Sequence, residues 1–149
     1  MIMDKNEVIA KIIDEQNNVI NSLKNSVSRY RIASDIDEND SIDPEDFSHQ
    51  DEANEMQLRY EQMLIQAKNN LEILESYKSK NYTSIESGAL IETEDLYLFV
   101  GISLQQFKLN SKTVITISEQ APIYNSIKYK TIGEKIAIGM IQNTILSIS

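Results

Sequence analysis

Ten carboxylates fall between Arg31 and Arg59 with no Lys or Arg among them: Asp35, Asp37, Glu38, Asp40, Asp43, Glu45, Asp46, Asp51, Glu52 and Glu55. The chain has 23 acids, 14 Lys plus Arg and a formal net charge of -9, so the remainder, with 13 acids and 14 bases, is close to neutral. Negative charge concentrated in this way attracts cations or a basic protein surface and repels phosphate, which argues against direct binding of duplex DNA. The spacing Asp35-x-Asp37-x-Asn39, with Ile42 and Asp46, also falls on calcium-loop positions. Against that reading, Asp40 stands where the loop needs Gly, Asp46 replaces the bidentate Glu, and Pro44 stiffens the end. There is no Cys, which excludes disulfides, thiolate metal sites and a Cys nucleophile, and the single His, His49, has no second His to form a metal site with. Capping alone could account for Asp43 and Asp46, and solvation for the other acids.

The elements that carry these acids are two helices. The four glycines are Gly88, Gly101, Gly133 and Gly139, so the first 87 residues have none, and their one proline is Pro44. Ile9, Ile13, Gln16, Ile20, Leu23, Val27 and Tyr30 step by four and three, the apolar seam of a coiled-coil helix, and Ala53, Met56, Tyr60, Met63, Ala67, Leu71 and Leu74 repeat it beyond the acids. Neither stripe can build a core alone, so the short connection between them favours an antiparallel hairpin over residues 1–80 with its acidic tip at about 34–52. Asp43 as N-cap, Pro44 at the first helical position and Ile42 opposite Phe47 place the start of the second helix at Pro44.

Beyond Lys80 the pattern changes to alternation and β-branched runs. Ala89–Glu92, Leu96–Ile102, Val114–Ile117, Lys135–Ile138 and Thr144–Ile148 read as about five short strands. Glu94-Asp95, Leu109-Asn110-Ser111 and Gly139 to Asn143 supply turns, and Ala121–Ile127 a short helix with Pro122 in its first turn. The expected fold is α+β: a helical hairpin, then a small antiparallel sheet domain over 81–149 with one helix against it. The N-terminus has acids where a secretory leader needs bases, and no segment is apolar enough to span a bilayer, so a cytoplasmic protein is expected.

The stretch Ile117-Ser118-Glu119-Gln120-Ala121-Pro122-Ile123-Tyr124-Asn125-Ser126-Ile127, followed by Gly133-Glu134, resembles the C-terminal signature of the Gre-type transcript-cleavage factors. Ala121 stands for the signature's Ser and Glu134 for its Asp, and Tyr124 and Tyr129 occupy positions where the family has glycine. The family order, a coiled-coil hairpin and then an FKBP-like sheet domain, covers essentially the whole chain. The tip departs from the Gre pattern: Asp43-Pro44-Glu45-Asp46 looks like the tip of the DksA-type regulators, whose zinc-binding cysteines are absent.

The resemblance implies a partner, bacterial RNA polymerase, with the hairpin entering its secondary channel and the tip near the transcript 3′ end. The tip carboxylates would be Asp40, Asp43, Glu45 and Asp46. Asp43 and Asp46 would share Mg²⁺ only in the polymerase complex, where a carboxylate pair can hold a second ion and position a water. Such a protein stimulates cleavage by the polymerase and is not itself an enzyme, and it binds no cofactor stably. Docking would fall on Ile117, Ser118, Pro122, Lys128 and Lys130. Light scattering would find a monomer. Two other readings stand beside this one: a coiled-coil interaction module that dimerises or recruits an adaptor, and a regulator of polymerase that inhibits or acts at initiation without cleavage. An FKBP-like sheet also suggests prolyl isomerase activity, but no aromatic-lined pocket is marked in the sequence.

Overall fold

A computed structural model describes residues 4–34 and 44–149, with residues 44–47 as backbone only. The order is α1 (Lys5–Ser34), α2 (Pro44–Tyr77), β1 (Leu90–Glu92), β2 (Leu96–Val100), β3 (Phe107–Leu109), β4 (Lys112–Ile117), α3 (Pro122–Ile127), β5 (Lys135–Ile138), β6 (Ile141–Thr144) and β7 (Ser147–Ile148). The chain divides into two compact units, one of residues 14–71 and one of residues 1–13 with 72–149. Among the described residues no helix is long and apolar enough to cross a membrane.

The 14–71 unit is the body of an antiparallel helix pair. Ile20 and Leu23 of α1 and Ala67 of α2 are buried together, with Tyr60, Leu64 and Leu71 packed against them. Gln16, the polar member of the seam, is buried, and its Nε2 donates to the Ala67 carbonyl at 2.9 Å, so its polarity is satisfied across the pair. Further along, the Tyr30 and Tyr60 rings stack with centroids 5.4 Å apart. The α2 stripe runs through Leu64, whereas Met63, expected in the seam, is exposed. Steps of four, three and four from Tyr60 through Leu64 and Ala67 to Leu71 hold the helical phase.

The other unit is built around a five-stranded sheet in the order β3-β4-β2-β1-β7, with β5-β6 as a separate ribbon. The sheet is mixed: β2 and β4 are parallel, Leu96 against Thr113 through Val100 against Ile117, and every other pair is antiparallel. The sheet is thus mostly antiparallel, as expected, with one parallel pair at its centre. The β3–β4 hairpin at the sheet edge lets β4 re-enter in the direction of β2. Among the described residues there are seven strands where about five were expected: β3 is added, β6 takes up Ile141 to Asn143, which were expected to be part of a turn, and the Thr144–Ile148 run divides between β6 and β7. The division has a hydrogen-bonding cause: Ile145 N–H donates to Glu134 O at 2.9 Å and Leu146 N–H to Glu92 O at 2.8 Å, so the strand leaves β5 and joins β1.

All five residues of β2 are buried, as a central strand covered on both faces requires. Leu96, Leu98 and Val100 face a core closed by Ile127 of α3, Ile136 of β5 and Ile145. Tyr97 and Phe99 face the other way, onto Val8, Ile9 and Ile12 of α1 and Leu74 of α2. The helix ends therefore form a third layer of this unit. A partly buried pair supports the sheet: Lys112 Nζ lies 2.7 Å from Glu92 Oε1 and donates to Thr93 O at 2.8 Å.

Candidate functional site: the acidic segment and the 117–130 loop

Within the 14–71 unit the ends of α1 and α2 that flank the acidic segment in sequence are linked to each other. Gln50 Nε2 donates to Ser34 O at 3.0 Å, Ser34 Oγ lies 3.2 Å from Gln57 Oε1, and Arg31 Nη2 lies 3.4 Å from Glu61 Oε1. Ala53 packs inward while Asp51, Glu52, Glu55 and His49 are exposed. Helix α2 begins at Pro44, the position the local sequence marks as its start. Asp40, Asp43 and the calcium-loop positions 35–42 lie outside the described residues; Glu45 and Asp46 are placed only as backbone in the first turn of α2. Among the described residues no group of three or more His, Asp or Glu is gathered as a metal site. Carboxylates in a first helical turn are favoured by the helix dipole, and they are the donor type that Mg²⁺ takes.

The expected docking residues lie in the sheet-bearing unit. Ile117 ends β4 with its side chain in the core, and its carbonyl accepts the Gly101 N–H at 2.8 Å. Ser118 O accepts the Ala121 N–H at 3.1 Å, forming the turn that delivers Pro122 to the start of α3. Pro122 is exposed. Lys128 caps α3, its N–H donating to Tyr124 O at 2.9 Å, and its exposed Nζ lies 5.7 Å from the centre of the Tyr129 ring. Lys130 O accepts the Ile85 N–H at 2.9 Å, and Lys130 Nζ donates to Lys135 O at 2.8 Å. Ile117 thus anchors the loop from inside, while Pro122 and Lys128 are its outward groups.

Beside this loop lies a polar cluster that sequence reading did not assign. Ser87 Oγ donates to Glu119 Oε1, and Ser84 Oγ to Glu86 Oε2 at 2.9 Å. Burial, and then the Glu119 carboxylate, push the Tyr77 and Tyr124 phenols above their ordinary range; burial does the same to Tyr82, with Tyr77 and Glu86 adding to it. Glu119 lies inside the Gre-like stretch, but spacing alone gave it no partner. Lys5 is buried, its Nζ donating to Lys80 O at 2.6 Å and lying 4.8 Å from the centre of the Tyr82 ring, and burial lowers its pKa to about 8. No periodic or motif signal marks Lys5.

Fold and site together define an α+β protein with a paired-helix unit whose sequence carries an acidic segment and a mixed-sheet unit carrying an exposed loop and short helix. No protein-family model matches the chain, and no curated protein matches it in sequence. Among solved structures it is similar to GreA factor homolog 1 (Gfh1) of Thermus thermophilus, at 14% identity over 97% of this chain and 94% of that one, with a TM-score of 0.34.

Proposed function

We propose that this chain is a regulatory protein of bacterial RNA polymerase that presents the acidic turn of its helix pair to the enzyme's secondary channel and modulates elongation, stimulating transcript cleavage in backtracked complexes. The observation that carries this reading is the segregation of charge: ten acids and no Lys or Arg between Arg31 and Arg59, at the connection of two antiparallel helices, in a chain that is otherwise near neutral. The Gre-like stretch 117–134 supports the choice of partner, since it forms a strand end, a tight turn and an outward short helix suited to docking through Pro122 and Lys128. In this reading Asp43 and Asp46 share Mg²⁺ in the complex, with Asp40 and Glu45 beside them, and the polymerase remains the catalyst.

The test is RNA cleavage in a stalled, backtracked elongation complex with Mg²⁺, comparing the native protein with an Asp43→Asn, Asp46→Asn variant. Cleavage that appears with the native protein and is lost with the variant is the expected result. Binding to polymerase without cleavage moves the assignment to an inhibitory or initiation regulator, and absence of binding removes the polymerase reading.

A second reading, an interaction module, has its own observation. Leu58 and Ile65, seven residues apart on α2, are 60% and 61% exposed on the side away from the seam. A dimer in light scattering that Leu58→Gln, Ile65→Gln converts to a monomer would favour it.

A further inference from the structure

Between the five-stranded sheet and the β5–β6 ribbon lies a groove of about 220 Å³, lined by Asp95, Leu96, Gln106, Thr113, Ile115, Ile138, Ile141 and Asn143. Four of these eight are aliphatic: Leu96 and Ile115 come from adjacent strands of the sheet, and Ile138 faces Ile141 across the ribbon. At the turn of that ribbon Met140 is fully exposed and Ile141 is 61% exposed, which extends the apolar wall outward.

The decisive residue is Asn143. It is 2% exposed, yet only half of its carboxamide is used: the Thr93 hydroxyl donates to Oδ1 at 3.2 Å, and Nδ2 has no partner among the described residues. No fully sealed side-chain nitrogen or oxygen lacks a partner among the described residues, so Nδ2 keeps some exposure, and Asn143 lines the groove. Turning the amide over would leave the oxygen unpartnered instead. A ligand carbonyl that replaces water at Nδ2 would be held at a fixed point of the groove.

We infer that this groove docks an extended peptide segment of a partner protein. One branched aliphatic side chain fills the cavity, a peptide carbonyl accepts from Asn143 Nδ2, and a neighbouring Lys or Arg faces Asp95. Three properties select this occupant. A cavity of ~150 Å³ accommodates benzene, and cofactor or drug-sized ligands need about 300 to 1,000 Å³, so the groove holds one side chain and little more. A peptide group offers both a donor and an acceptor, so it satisfies the free end of Asn143 in either orientation. Asp95 is exposed with no ion-pair partner among the described residues and supplies the complementary charge. The proposal stands apart from the polymerase reading, because none of these residues belongs to the acidic turn or the 117–130 loop.

The test is a ¹⁵N NMR titration of the full chain with blocked dipeptides through the millimolar range. Acetyl-Leu-Lys-methylamide is expected to shift the Ile115 and Ile138 amides and the Asn143 side-chain NH₂ saturably. Acetyl-Ser-Lys-methylamide, which lacks the aliphatic group, binds about tenfold more weakly or worse. Asp95→Asn weakens the Leu-Lys peptide by about two- to fivefold, as the loss of an exposed charge pair does. Ile141→Gln, at an exposed position that leaves the folded spectrum in place, weakens it too. Absence of saturable shifts at these three groups overturns the proposal, as does equal binding of the Ser and Leu peptides. If acetyl-Leu-Glu-methylamide binds as tightly as the Lys peptide, the charge assignment fails and the peptide-docking proposal is withdrawn.

Discussion

Gly88 holds φ at +95°, and its N–H donates to Val100 O at 2.7 Å. A Cβ there would overlap Tyr77 Cδ1 and stand 2.7 Å from the Tyr82 phenol oxygen, so strain and steric conflict act together. Gly88→Ala is expected to destabilise the sheet-bearing unit by about 2–4 kcal/mol, read from the midpoint of urea unfolding. Lys5 gives a pH signature. Its folded-state pKa of about 8 lies below the ordinary 10.5, so between those values the unfolded chain binds more protons and stability contributed by this site rises with pH. Replacing Lys5 with Met should flatten that rise between pH 8 and 10 in unfolding titrations; an unchanged slope would show that the ammonium is not desolvated. Sequence could not reveal either residue, because both depend on long-range neighbours. Tyr129 is partly legible: the Gre-like pattern has glycine there, and φ of +67° is the backbone reason a glycine suits the position.

The helices were the most legible elements, since a long stretch without glycine and with apolar steps of three and four fixes their type and most of their mutual faces, Met63 and Leu64 excepted. Their seam predicts its own energetics. Leu23→Ala, which empties part of a small cluster with Ile20 and Ala67, should cost about 2–4 kcal/mol, measured as loss of helical circular dichroism signal at lower denaturant. The strands were legible as apolar runs, but their directions were not, because alternation says which face is buried and nothing about whether a neighbour runs parallel. Phe107-Lys108-Leu109 is too short to show a period at all. The β3–β4 turn was legible from Asn110-Ser111, which both adopt positive φ, 50° and 69°. Such two-residue turns favour Gly second, so Ser111→Gly should stabilise the hairpin by about 0.5–1 kcal/mol in thermal unfolding. The peptide groove was illegible in sequence, since its lining comes from strands and loops scattered between Asp95 and Asn143.

The two compact units differ in how much they bury. Among the described residues the 14–71 unit has one small apolar cluster, whereas the other has two larger ones on opposite faces of β2. Native-state hydrogen exchange should therefore release the amides of 14–34 and 48–71 before those of β2 and β4, and the reverse order would contradict this account of the cores. The acidic segment was legible as composition and not as geometry, since charge counts locate it while carboxylate positions depend on packing. The sheet-bearing unit also takes its covering layer from the start of the chain, and this matters during biosynthesis. Val8, Ile9 and Ile12 leave the ribosome first but are covered by Tyr97, Phe99 and Val114, made about a hundred residues later. At ~5–20 residues per second that is roughly 5–20 s during which three aliphatic side chains wait uncovered beside a helix pair already able to close, an interval in which a nascent-chain chaperone has something to hold.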